Sequence, residues 1–528
     1  MSKLPQSNDV VRNEIALESQ VLIVMTGGTI GMQHSSTGYI PAAGFQEACL
    51  SGIPLFNDGS PSSMLDVVID TNGDIRRLAS LRTPPSVYQR QIRYTVFEFD
   101  ELMDSCSVSA KEWTEIAEII FCNYDLFDGF VILHGTDTLA YTSSALSFML
   151  RNLAKPVILT GAQAPMRELQ SDAIHNLLGS LVIAGHFKIA EVCLYFNNRL
   201  LRGNRATKIS ASDFAAFDSP NYPPLAITSS SRTNVAWELV RKPMETERFS
   251  LQKVLDTKHV ATLRLFPGIR PEMVNAVLKM EGLRGLVLET FGPGSAPLGP
   301  DRALIKTLAR GVDEGIVIVS VSQCLTGSVN PIYDSVASLG NAGIVAGLDM
   351  TTEAALTKLA YLFALPSSTT RSVANDMVKS IRGELVESSK PIFEHSKVNT
   401  SEKSQGFNDL CDAISSNELE RVQGILNVQN RSYLNDSDYM GNTPLHVAAV
   451  SPSTAILRLL LFNGALPNAH NRTGNTPLFL AARAGREQHL SVLMQSGARL
   501  NTEELRVAEL LLPNQPHVWK MAETISEK

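Results

Sequence analysis

Two threonines, an aspartate and a lysine can form a nucleophile system, and this chain carries them where apolar runs break into polar turns. They are Thr29, Thr136 with its neighbour Asp137, and Lys208, with Ser105 as a further hydroxyl. A threonine hydroxyl is a weak nucleophile at neutral pH and needs a base beside it. A lysine can serve once desolvation loosens its proton, and an aspartate can orient that lysine. Backbone N–H groups of nearby glycine turns could hold the oxyanion that develops. Each residue also has a plainer reading. Thr29 could cap a helix, Asp137 could face the N-terminus of the helix after it, and Lys208 could be a solvated loop charge.

The elements that must position these groups follow one pattern. Val21 to Met25 is a continuous apolar run, as in a buried parallel strand, and it ends in Thr26-Gly27-Gly28-Thr29-Ile30-Gly31. This glycine turn lacks the Gly-Lys-Ser/Thr of a phosphate-binding loop and the G-x-G-x-x-G spacing of a dinucleotide site. Tyr94 to Phe97 leads to Ser105. Gly129 to Leu133 leads to His134-Gly135-Thr136-Asp137-Thr138, and a helix is expected over Thr142 to Leu153. Pro156 to Gly161 and Val192 to Phe196 repeat the strand pattern. Strands alternating with helices, one with Ser109 as a plausible N-cap, predict βαβ units and a parallel sheet with its ligands at the carboxyl ends of the strands. Met32 to Gly44, polar and carrying Tyr39, reads as a mobile lid. Ser219 to Arg232 reads as the loop that closes this first domain.

The expected organisation is a leader over 1–18, an α/β domain over 19–232 and a linker over 233–257. A smaller α/β domain over 258–375 and a linker over 376–404 follow. In the second domain a helix begins near Thr352, with Thr351 or Thr352 as N-cap and Glu353 in its first turn. Beyond lies a different pattern. Gly441-Asn442-Thr443-Pro444-Leu445 recurs as Gly474-Asn475-Thr476-Pro477-Leu478, and Gly464-Ala465 as Gly497-Ala498, both at an offset of 33 residues. That period marks ankyrin repeats. They are placed over 405–515, with Phe407 to Val428 and Thr502 to Leu512 as atypical flanking units and 516–528 as a tail.

Composition narrows the class. A net charge of −7 over 528 residues argues against a general nucleic-acid binder. Cys49, Cys106, Cys122, Cys193, Cys324 and Cys411 are scattered, without a C-x-x-C pair. No apolar run approaches the ~18 residues of a membrane span, and the N-terminus has no apolar signal core. The expectation is a reduced, cytoplasmic protein with no metal or cofactor.

Several motifs, in order, carry a resemblance. TGGTIG (Thr26 to Gly31), HGTDT (His134 to Thr138) and RGNRATK (Arg202 to Lys208) resemble the L-asparaginase/glutaminase amidohydrolases. TGAQAP (Thr160 to Pro165), SD with NLL (Ser171 to Leu178) and SPN (Ser219 to Asn221) are similar to the cytosolic type. The resemblance covers about residues 18 to 375. An asparaginase region followed by ankyrin repeats is also similar to animal cytosolic asparaginases, which have been named lysophospholipases as well. The resemblance implies hydrolysis of L-asparagine to L-aspartate and ammonia through an acyl-threonine. Thr29 would be the first nucleophile, with Tyr39 supporting it. Thr136, Asp137 and Lys208 would be the second catalytic set, Asp137 would also grip the substrate ammonium, and Ser105 would bind the substrate carboxylate. It further implies a homo-oligomer, and the repeats imply a protein partner that the sequence does not identify. Asp104-Ser105-Cys106-Ser107-Val108 departs from the family's usual Asp-Ser-Ser-Asp-Met, which bears on affinity and on the choice between asparagine and glutamine. Thr207 and Cys324 fall where bacterial relatives have an effector site. The alternatives are a lysophospholipase, for which no G-x-S-x-G elbow is present, and a non-catalytic scaffold.

Overall fold

The computed structural model describes residues 18–36, 38–242, 248–297, 300–329, 334–386, 402–428, 434–438, 440–512 and 516–523. Residues 1–17 of the expected leader and 387–401 of the expected second linker lie outside them.

Apolar runs become strands because both faces are covered. Among the described residues the first domain holds a nine-stranded sheet. Its middle strands, Glu18–Gly27, Gln91–Met103, Gly129–Leu133, Val157–Thr160 and Val192–Phe196, run parallel. Val21, Ile23 and Met25 point to one side, where helix Ala173–His186 packs; Leu22 and Val24 point to the other, against helices Ala110–Cys122 and Leu139–Met149. The edges are antiparallel. Part of the segment expected as a closing loop joins one of them: Ala226–Thr228 pairs with Arg199–Leu200 and with Thr233–Val235.

Two further expectations shift. The helix placed at Thr142 starts at Leu139, directly after the polar turn, and stops at Met149 because Leu150–Arg151 pairs with Ser250–Leu251. The lid segment is a hairpin of Met32–Ser35 and Gly38–Pro41. Ser109 caps its helix with a full capping box to Glu112, and Thr351 caps Thr352–Ala364 by accepting from the Ala354 N–H.

The second domain has a parallel sheet, Val260–Arg264, Gly285–Thr290, Val317–Ser322 and Val345–Ala346. Its helix Thr352–Ala364 packs on Leu139–Met149 of the first domain, sharing one continuous core. A buried hydroxyl pair, Ser144 Oγ and Thr357 Oγ1 at 2.7 Å, crosses that contact. Beneath it Lys358 and Glu384 form an ion pair at 2.6 Å, both side chains fully buried.

The C-terminal region stacks helix pairs, as the repeat predicts. Thr443 and Thr476 cap helices that begin with Pro444 and Pro477, and Gly441 takes the positive φ that its turn demands. The stretch read as a tail continues as helix Pro516–Glu523, because Val518, Trp519 and Ala522 at helical spacing bury themselves in the repeat core beside Phe479. The module docks on the first domain. Arg483 donates to the Leu126 carbonyl at 2.9 Å and pairs with Asp128 at 3.4 Å, while Met440 packs on Ala154 and Ala190. Asp128 in turn accepts from the Gln20 N–H at 2.8 Å, at the entry of the first strand. The repeats therefore sit at the amino ends of the strands. No helix among the described residues is long and apolar enough to cross a membrane.

Lys358→Met would leave the Glu384 carboxylate without its cation in the core. Breaking such a pair from one side costs about 3–5 kcal/mol, so urea unfolding of this variant should show that loss, whereas Lys379→Met, at an exposed pair, should change stability by under about 1 kcal/mol.

Candidate active site

Parallel register sets the site. Met25 lies opposite Leu133, Leu133 opposite Thr160, and Gly27 opposite Met103, so four strands end at one level. The turns that follow are pressed together. Gly28 donates to the Met103 carbonyl at 3.2 Å and has φ 87°, and a side chain there would overlap the Gly135 backbone. A Cβ on Gly135 would stand 2.5 Å from Ser105 Oγ. These two glycines let the Thr29, Ser105 and Thr136 loops share one space.

Thr29 begins a short 3-10 turn, Thr29–Gly31, and is half-buried; Gly28 occupies the cap position without a side-chain bond, so the capping reading of Thr29 does not apply. Thr136 is buried. Lys208, on Thr207–Lys208 paired with Phe217–Asp218, reaches across to this edge. Its Nζ donates to Thr136 Oγ1 at 3.0 Å and to Asp137 Oδ1 at 2.6 Å. Asp137 thus faces the lysine, with more than half its side chain in solvent. The Thr136 hydroxyl donates to Gln163 Oε1 at 3.2 Å. Ser105 is buried and its carbonyl accepts from the Thr138 hydroxyl at 2.8 Å, which ties the two turns.

The other expected residues take their hydrogen bonds outside this cluster, although Thr207 adjoins Lys208 and the Tyr39 strand touches the Thr29–Gly31 turn. The Tyr39 hydroxyl donates to Glu168 Oε1 at 3.0 Å and the residue is largely exposed on its hairpin. That hydrogen bond, with slight desolvation and the Glu168 charge, raises the phenol above its ordinary pKa. The Thr207 hydroxyl donates to Glu353 Oε1 at 2.7 Å, and burial raises the Glu353 carboxyl. Cys324 is exposed beyond strand Val317–Ser322, its N–H donating to Ser322 Oγ at 3.0 Å. The hydrogen bonds of Thr207 and Cys324 run to different partners.

Some positioning residues were not singled out from the sequence. Trp113 Nε1 donates to Thr142 Oγ1 at 2.9 Å, Thr142 meets His134 Nε2 at 3.0 Å, and His134 Nδ1 meets the Gly135 carbonyl at 2.8 Å. The carbonyl can only accept, so Nδ1 carries the proton and Nε2 accepts from Thr142. Burial pushes His134 down to about 4, opposed by the Gly135 carbonyl. A neutral ring of fixed tautomer therefore holds the turn that carries Thr136. Gln163 is held by its N–H on Asp172 Oδ1 at 3.0 Å, and Asn176 joins Asp172 to the Gly161 carbonyl. His134, Gln163, Asp172 and Asn176 lie inside the quoted motifs, so their signal was present as spelling but not as roles, whereas Trp113 and Thr142 lie outside them.

Lys208 is anchored from behind. Arg202 forms a bidentate buried pair with Glu191 at 2.6 and 3.0 Å, and Arg205 pairs with Asp349 of the second domain at 2.7 Å. Both guanidinium groups lie over the Tyr222 ring. Asn221 binds the Gly327 backbone through both ends of its amide, at 2.8 and 3.0 Å. The geometry offers hydroxyls, an amine and a carboxylate on one solvent-facing edge.

Each of the three regions is similar to known proteins. The family model "Asparaginase, N-terminal" matches residues 20–241, "Glutaminase/Asparaginase C-terminal domain" matches 259–374, and "Ankyrin repeats (3 copies)" matches 393–504. The chain is 38% identical over 464 residues to the 60 kDa lysophospholipase of Mus musculus, covering 85% of this chain and 79% of that one. It is 36% identical to the L-asparaginase of Dirofilaria immitis over 85% and 76% of the two chains. L-asparaginase 1 of Escherichia coli strain K12 is 38% identical over 70% of this chain and 98% of its own. The crystal structure of L-asparaginase I from Vibrio cholerae superposes with a TM-score of 0.58 at 38% identity, covering 70% of this chain and 99% of that one.

Gly135→Ala should displace the Ser105 hydroxyl, and kcat/KM for an amide substrate should fall about 10²-fold with an unchanged circular dichroism spectrum. For pH, His134 is depressed in the folded state, so the unfolded chain binds more protons between its ordinary pKa and about 4. Its contribution is complete above pH ~6.5 and is lost as pH falls toward 4, up to about 3 kcal/mol. Urea titrations at pH 7 and pH 4.5 should show a smaller drop in His134→Gln than in the wild type.

Proposed function

The chain belongs to the asparaginase family, and we propose that it hydrolyses L-asparagine to L-aspartate and ammonia with Thr29 as nucleophile. The observation that carries the reading is Lys208 Nζ within reach of both Thr136 Oγ1 and Asp137 Oδ1, beside the turn that holds Thr29. In this reading the substrate ammonium docks on Asp137 and its α-carboxylate on the Ser105 turn. The ammonium competes with Lys208 for the Asp137 carboxylate. A lysine relieved of that counter-charge gives up a proton more readily and can act as base toward Thr136.

The chemistry then runs in two steps. The Thr29 oxygen bonds to the carboxamide carbon, the C–N bond breaks, and the threonine proton leaves with ammonia. Water next attacks the acyl-threonine; its hydroxyl goes to the acyl carbon and its proton returns to Thr29 Oγ1. Glycine-turn N–H groups would hold the oxyanion of both tetrahedral states, worth about 3 kcal/mol per donor. Tyr39 supports Thr29 once it leaves Glu168, so the hairpin is the element that closes. The repeats would bind a protein partner; their docking on the strands' amino ends leaves the carboxyl ends open to substrate.

The name of the mouse relative favours a second reading, lysophospholipid hydrolysis. Against it stands the fully formed threonine–lysine–aspartate cluster, which suits a small amide.

Ammonia release from asparagine and from glutamine should be measured side by side, with lysophosphatidylcholine as a third substrate. Thr29→Ala and Lys208→Met are each expected to lower kcat for asparagine by about 10²–10⁴-fold while the thermal unfolding profile matches that of the wild type. Wild-type turnover in either variant would remove the assignment, and ester cleavage that survives Thr29→Ala would establish a separate lipid site.

A further inference from the structure

Away from the candidate site, a cavity of about 210 Å³ opens at the other end of the Arg202–Lys208 segment. Its wall comes from both domains: Arg151 and Leu153 after the helix Leu139–Met149, Glu191, Arg202, then Arg241 and Lys242, closed by Tyr361 and Arg382. On its flank Ala190 meets Met440 of the repeats.

The charge of this wall is one-sided. Five cationic side chains, Arg151, Arg202, Arg241, Lys242 and Arg382, face one acid among the lining residues, Glu191. That acid is spent. Glu191 Oε2 accepts from Arg202 Nε at 2.6 Å, and Oε1 accepts from Arg202 Nη2 at 3.0 Å and from the Arg241 N–H at 2.7 Å. Arg151, Arg241 and Lys242 make no ion pair within 4 Å among the described residues. Arg241 is moreover largely desolvated. Burial depresses its guanidinium, and Arg382 and Arg202 push the same way, against Glu191 and Glu384. Arg202 is buried, Arg151, Arg241 and Arg382 are half-buried and Lys242 is exposed. Like charges brought together on such a wall repel unless an anion neutralises them, and arginine forks suit carboxylate and phosphate oxygens.

We propose that this inter-domain cavity is a second ligand site, one that binds a compact dianion, a phosphate or a small dicarboxylate. The volume sets the size class, since it lies below the ~300 Å³ at which sites for drug-sized ligands begin. Glu191, committed to Arg202, serves as a fixed support rather than as a competitor. The occupant would touch Arg202 and Asn204, on the segment that carries Lys208, and so would sit against the back of the catalytic strand. The site is independent of the reaction assigned to the front.

The test uses the full chain and reads binding rather than turnover, so its failure is distinct from failure of the asparaginase reading. Sodium phosphate and sodium succinate are titrated by calorimetry and by thermal shift against sodium chloride at equal ionic strength. The wild type should gain about 2 °C or more in Tm over the chloride control with phosphate, succinate or both, and the larger response identifies the ligand chemistry. Arg241→Gln with Lys242→Gln should weaken the calorimetric affinity at least tenfold, and Arg151→Gln, on the cavity wall and outside the Glu191 network, should weaken it in the same direction. Identical responses to all three salts, or affinity unchanged in both variants, would overturn the proposal.

Discussion

Lys208 is held at the front of the sheet because Arg202 and Arg205 cannot leave the back of it. A segment with two buried guanidinium groups is locked: each pair loses several kcal/mol if one partner is removed, and both rings of charge rest on Tyr222. Glu191 belongs to the first domain and Asp349 to the second, so the same segment is also the joint between them. Precision at the amine and cohesion of the two domains have one cause. The cost is a strip of sequence that tolerates little change, from Arg202 to Lys208, for reasons that are only partly chemical.

The turns at the strand ends obey a second constraint, close approach. Gly28 and Gly135 admit one another's backbone and the Ser105 hydroxyl where any side chain would intrude. Around them, polar groups that cannot reach water are matched in chains, from Trp113 through Thr142 to His134. A neutral histidine is the economical residue there. It donates on one side and accepts on the other, and its depressed pKa keeps it so at neutral pH.

The fold and the cluster were legible to different depths. Apolar runs ending in glycine turns located the strands, and a period of 33 residues located the repeats, because both are local regularities. The strand ends suggested that Thr136, Asp137 and Lys208 could share one edge, and motif resemblance strengthened that reading, since nothing local says that residue 208 returns to residue 136. What stayed hidden was long-range or conditional. Tyr39 rests on Glu168, 129 positions away, and Trp519 looked like tail until Phe479 gave it something to pack on. Helix starts with capping chemistry were legible, as at Ser109 and Thr351, whereas the helix Leu139–Met149 was misplaced at both ends: Thr138 makes no side-chain cap bond and Met149 stops for a strand partner near residue 250.

The seat of the repeats has a consequence for modularity. Asp128 lies at the foot of the sheet with Arg483 from the repeats and Lys188 from its own domain as its cations, and Arg483 also satisfies the Leu126 carbonyl. Ala154 and Ala190 lie under Met440. Without the repeats that foot would face water. Here its charges and small side chains are matched to the repeats, so the two halves are not interchangeable parts: separating either one means redesigning the ground on which the other stands.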